Sequence, residues 1–159
     1  MTRRVWWIAV GLVATVAVTG GALGSSASTG RTTKLKLLDV SDKFEFVDVG
    51  RPATGEGDFS PGDMLIFENI LRKAHGTRDV GNFISNCTMS VPPMALCRGT
   101  LWLQDGKIEL STAVDFADAD IIQSAVTGGT RRYKTARGHA ILGEEVSEGV
   151  RKLTVVLVP

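Results

Sequence analysis

From Lys34 to the carboxyl terminus the sequence runs as short β-rich segments broken by turn residues at intervals of roughly ten, with no long helical stripe. That rhythm restricts the chain to an all-β barrel or sandwich. The segments are Lys34 to Val49, with a bulge expected near Ser41-Asp42, Met64 to Leu71, Val80 to Ser90, Leu96 to Gln104, Lys107 to Val114, Ile121 to Thr127, Arg137 to Glu145 and Val150 to Val158. Asp105-Gly106 is a hairpin signal, Val91-Pro92-Pro93 cannot continue a central strand, and Gly128-Gly129 and Glu148-Gly149 read as turns. Eight meandering strands remove their own edges by closing on themselves, so the expected fold is an eight-stranded antiparallel up-and-down β-barrel. The interior of such a barrel is either filled by side chains or holds one small ligand.

The amino terminus has the composition of an export signal. Arg3 and Arg4 precede an uncharged run from Val5 to Val18, and small residues follow to Ser28. The run is shorter than the ~20 apolar residues of a spanning helix, so a cleaved signal over residues 1–27 is expected rather than a permanent membrane anchor. A flexible stretch over 28–33 and a barrel domain over 34–159 complete the expected organisation. Removing Arg3 and Arg4 with no acid takes the formal charge from +1 to −1, which gives no footprint of a nucleic-acid binder. The expected destination is secreted, where two cysteines favour a bridge. If the third segment turns back at Pro92, Cys87 and Cys97 lie opposite one another, close enough for a Cys87–Cys97 disulfide.

Along Met64 to Leu71 both faces are apolar: Leu65, Phe67, Asn69 and Leu71 alternate with Met64, Ile66, Glu68 and Ile70. A lone barrel in water has one wet face, so the outer row of Met64, Ile66 and Ile70 is expected to pack on another subunit or under a covering segment.

The segment from Val126 to Ala140, with Gly128, Gly129, Thr130, Tyr133, Ala136, Arg137 and Gly138, resembles the GGTGxYxxARG block of the allene oxide cyclase and dirigent superfamily. Gly62-Asp63 leading to Phe67, Asn69 and Leu71 resembles that family's GDxxxFxNxL strand, and Val80-Gly81 with Cys87 resembles its VG…C strand. The resemblance implies an eight-stranded barrel, often trimeric, that uses no metal and no organic cofactor. It implies a small hydrophobic ligand in the lumen and a templated, stereoselective cyclisation or coupling. On this reading Asn69 orients the substrate, and Leu65, Phe67, Leu71 and Cys87 form the wall. A functional Asn69 would accept leucine with little loss of stability; a structural one would not. Arg131 stands where the family has a third glycine, and the family's catalytic acid is not assignable among Asp39, Asp42, Glu45 and Asp48. His75 and His139 have no companions at ligand spacing, so no metal site is expected. The residues equally allow a non-catalytic ligand-binding barrel or an interaction module.

Overall fold

A computed structural model describes residues 31–50 and 58–159; the export signal expected over 1–27 lies outside the described residues. Eight strands follow one another: β1 (Thr33–Val47), β2 (Met64–Lys73), β3 (Asp79–Val91), β4 (Met94–Leu103), β5 (Gly106–Asp115), β6 (Ile122–Gly129), β7 (Arg137–Ser147) and β8 (Val150–Val158). Each pairs with the next, and β1 pairs with β8 from Thr33↔Leu157 to Val40↔Val150, so the sheet is a closed antiparallel barrel. Closure satisfies the backbone groups that an open sheet would leave at its edges.

The inner face is set by alternation, interrupted once in β1. Odd residues point inward through Leu37 and Asp39, and a bulge between Ser41 and Lys43 then moves the inward phase to even numbers, so that Phe44 pairs with Phe67 and Phe46 with Leu65. Two apolar clusters pack inside the barrel. One gathers Leu37, Leu71, Leu101, Ile108, Tyr133 and Val155; the other gathers Leu65, Cys87, Met89, Ala95, Cys97 and Val114. Burial of each large aliphatic side chain in them contributes roughly 1.5 to 3 kcal/mol.

The glycine pair expected as a turn is strand instead. Gly128 and Gly129 end β6, opposite Glu109 and Ile108, and the reversal is made by a short 3₁₀ helix, Arg131–Tyr133. A β-carbon on Gly129 would stand 2.4 Å from the Lys107 carbonyl oxygen and 2.5 Å from that of Tyr133, so close backbone approach explains the glycine there. Arg131 occupies the left-handed region at φ 52°, so the arginine keeps the backbone conformation suited to glycine instead of opening the turn.

Cys87 and Cys97 are directly opposed in the β3–β4 ladder and form a disulfide, with Cα atoms 4.0 Å apart. The bridge closes a short loop, so its reduction is expected to cost ~2 to 3 kcal/mol. Intact-mass measurement of unreduced protein after alkylation should show no added mass; two alkylated thiols would contradict the bridge.

Candidate functional site

Between the two clusters lies a cavity of about 290 Å³. Its origin is legible in side-chain size. At this level of the barrel Ser41, Ser85, Gly99, Ser124 and Ala140, contributed by five different strands, stand where Leu71, Leu101 and Ile108 fill the adjoining layer. Small inward residues leave space that the layers on either side do not. The wall draws Leu110, Ala140 and Leu153 from one cluster and Cys87, Cys97 and Val114 from the other, with Phe67, Phe83 and Phe116 adding aromatic surface.

Three polar groups in this wall matter chemically. Asp39 is 3% exposed, and its Oδ2 accepts a hydrogen bond of 2.9 Å from Asn69 Nδ2. Its Oδ1 is buried and has no hydrogen-bond partner. Burial raises the Asp39 carboxyl to about 6, against the opposing pull of the Asn69 hydrogen bond and the Arg151 charge. Arg151 faces Asp39 directly across the β1–β8 ladder. It donates from Nε to the Gly143 carbonyl oxygen at 2.8 Å, and from Nη2 to the carbonyl oxygens of Ala119 and Asp120. The cavity is therefore a largely apolar chamber in which a carboxyl, an amide and the Arg151 guanidinium meet beside several hydroxyls, the arrangement expected of a small-molecule site; Arg98, the other arginine in the lining, is exposed. Among the described residues no three His, Cys, Asp or Glu side chains gather where they could hold a metal ion.

Of the residues expected at the site, Phe67, Asn69 and Cys87 line the cavity. Leu65 and Leu71 face inward on the same strand but are packed into the two clusters and do not line it. Asp39 is one of the four acids that the first expected strand offers, and Arg151 is not among the candidates that the sequence suggests. Both carried a signal: Asp39 continues the inward alternation of Leu35 and Leu37, and Arg151 heads that of Leu153 and Val155. Asn69 bonds to a carboxyl and not to backbone groups beside the bulge. Asn69→Leu is accordingly expected to destabilise the protein by ~1 to 3 kcal/mol at neutral pH, because it strips the Asp39 carboxylate of its one hydrogen bond. The loss should be smaller below about pH 6, where Asp39 takes up a proton, and thermal melts at both pH values check this.

No family model matches the chain, and no curated protein matches it in sequence. Solved structures do match. A pyocyanin demethylase superposes with a TM-score of 0.66 at 25% identity, covering 79% of this chain and 100% of its own. A pterocarpan synthase dirigent protein gives 0.62 at 16%, covering 87% and 97%, and an exo-specific intermolecular Diels-Alderase gives 0.64 at 14%, covering 80% and 98%. By fold this is a closed eight-stranded barrel of the kind seen in a dirigent protein and a Diels-Alderase.

In this barrel the motif residues divide: Phe67, Asn69 and Cys87 line the cavity, whereas Gly62, Asp63 and the residues of the Gly128 to Gly138 block hold strand ends and do not. Asp63, 1% exposed, accepts from the backbone of Ser60 at 2.6 Å and of Val49 at 2.8 Å, and from Ser60 Oγ at 2.9 Å. These bonds, led by that of the Ser60 backbone, hold its carboxyl below the usual range. Asp63 thus ties the end of the β1–β2 connection to β2, while Gly62 adopts φ 98° beside it. Thr130 stitches the turn to β5, its Oγ1 accepting from Lys107 N at 3.1 Å, and Tyr133 and Ala136 are buried in the first cluster. The basic side chains of this turn face water: Arg132 pairs with Asp105 at 3.2 Å, and Arg137 Nη1 donates to the Ala136 carbonyl oxygen. His139 is exposed on the outer face of β7 and His75 in the β2–β3 turn.

Proposed function

We propose that the dirigent-like barrel binds one small, largely apolar molecule in its lumen and templates a cofactor-free rearrangement, with Asp39 moving a proton and Asn69 holding Asp39 in place. The observation that carries this reading is a desolvated carboxyl with one unpartnered oxygen in the wall of an apolar cavity. A carboxyl raised to about 6 gives and takes a proton with similar ease near neutral pH. It can protonate one substrate oxygen or accept a proton from one carbon, then reverse that transfer elsewhere on the molecule. A cyclisation or isomerisation of this kind leaves Asp39 as it began and requires no oxidant or reductant. The walls would contribute by excluding water and by fixing the conformer that reacts. Neighbours of the same fold include a demethylase, a pterocarpan synthase and Diels-Alderases, which supports a lumen adaptable to different small molecules.

Titration with the fluorescent probe N-phenyl-1-naphthylamine tests the lumen. One probe should bind per chain. Ser124→Phe, which places a ring in the cavity wall, should abolish binding without a large change in melting temperature. An absence of probe binding in the parent protein, or equal binding in the variant, would remove the lumen as a ligand site.

In the same reading the protein acts after export and self-associates, most simply as a trimer, through the outer β2 face. Met64, Ile66 and Ile70 are half-buried there, and Ile84 on the neighbouring strand is 41% exposed. Light scattering is expected to give a mass above that of the monomer, and Ile66→Lys to reduce it. A monomeric parent protein would count against this face as an interface.

A further inference from the structure

Arg151 is charged, half-buried and lines the cavity, yet no carboxylate lies within ion-pair distance of it among the described residues. Its neighbour across the ladder, Asp39, is engaged by Asn69 instead. Glu145, opposite Arg151 on β7, accepts a hydrogen bond from the Gly149 backbone. What Arg151 does hold is three carbonyl oxygens, those of Gly143, Ala119 and Asp120. Carbonyl dipoles solvate a guanidinium and fix its plane but form no ion pair with it, and Asp39, whose carboxyl feels the Arg151 charge, gives its hydrogen bond to Asn69. The carbonyl contacts use Nε and Nη2, and among the described residues Nη1 donates to no protein group. A fixed cation with spare donors in an apolar wall is unfavourable alone and favourable when a ligand supplies the counter-charge.

Resting on the lumen reading above, we propose that the molecule held there carries one anionic oxygen, a carboxylate or a phenolate, on an otherwise apolar body, and that Arg151 Nη1 is the group that binds it. Asp39 is compatible with that anion. Its unpartnered Oδ1 can carry a proton and donate it as a hydrogen bond to the ligand oxygen, and a neighbouring anion favours the protonated carboxyl further. The ligand oxygen would then lie between a guanidinium donor and a carboxylic acid donor, neither of which is engaged by a protein group among the described residues. Asp39 would remain the proton donor of the proposed reaction, with Arg151 fixing which end of the molecule faces it.

The test uses the full chain near pH 6, with N-phenyl-1-naphthylamine bound in the lumen and two competitors of the same shape: 2-naphthoate, which is anionic, and 2-naphthamide, which is neutral. In the parent protein, 2-naphthoate is expected to displace the probe at a concentration at least about tenfold lower than 2-naphthamide. Arg151→Gln should reduce that ratio to about one while leaving the neutral competitor within roughly twofold. Arg151→Lys, which keeps the charge without the planar fork, should retain part of the preference. If the two competitors displace the probe equally in the parent protein, the anion site is wrong, whatever the variants do. The same holds if Arg151→Gln weakens both competitors alike, because Arg151 would then only pin the β5–β6 connection. Failure of the probe itself to bind would instead overturn the lumen reading on which the proposal rests.

Discussion

Gly138→Ala is expected to destabilise the barrel by ~2 to 6 kcal/mol, a large share of the roughly 5 to 15 kcal/mol that a domain has in total. Two costs add. Gly138 sits at φ 134°, a conformation that side-chain-bearing residues rarely adopt, with a strain of order 1 to 3 kcal/mol. A β-carbon there would also lie 1.9 Å from the Val156 carbonyl oxygen and 3.0 Å from the Val156 carbonyl carbon. Those atoms are backbone of β8, and Gly138 pairs with Leu157 beside them, so they can give way only by distorting the ladder; overpacking of this kind typically costs ~1 to 3 kcal/mol. Gly128→Ala is the contrasting variant in the same motif. No atom lies within 4 Å of its added methyl, and the change should stay within about 1 kcal/mol of the parent. Urea unfolding of both variants checks the pair, and equal losses would mean that the close approach at Gly138 is not what selects glycine.

That contrast bears on how much the sequence discloses. The eight strands are legible because β-strands alternate with a period of two and turn residues interrupt them, and the β3–β4 register follows once Pro92 is taken as the pivot: Cys87 does face Cys97. Motif glycines are harder. A glycine in a sequence signals conformational freedom, but Gly129 serves close backbone approach inside a strand, and only coordinates reveal which backbone comes near. The site was half legible. Asn69 could be placed because its strand is regular. The acid could not, because the bulge between Ser41 and Lys43 reverses the inward phase, so Asp39 before it and Asp42, Glu45 or Asp48 after it cannot be compared by counting in twos. Arg151 is hidden in the sequence for a different reason. A single arginine at the start of a strand looks like a solvated end, and its inward placement depends on which residue of β1 it meets when the barrel closes. Chain closure is a non-local fact.

Asp39→Asn is expected to separate stability from activity. In the folded protein burial raises the Asp39 carboxyl from 3.8 to about 6, so the native state binds this proton more tightly than the unfolded chain does. The parent protein therefore loses stability as pH rises from about 4 to about 6, and above that range it bears the full cost of an ionised, desolvated carboxylate. A shift of this size corresponds to roughly 3 kcal/mol. The amide does not titrate, is close in size, and still offers an oxygen to Asn69 Nδ2. The variant should match the parent below about pH 4 and then become the more stable of the two, by up to roughly 3 kcal/mol above pH 6. Probe binding should persist, because the walls are unchanged, while turnover falls by about a hundredfold or more through loss of the proton donor. Melting curves across this pH range, with probe titration and product formation measured in parallel, check all three. Parallel melting curves at every pH would show that the carboxyl is not desolvated, and undiminished turnover would show that the proton of the reaction is not carried by Asp39. The gain in stability at neutral pH is the more telling result. A carboxyl that serves only the fold gains nothing where an amide would be more stable, whereas the proposed proton transfer gives a buried acid in an apolar chamber a role that an amide could not fill.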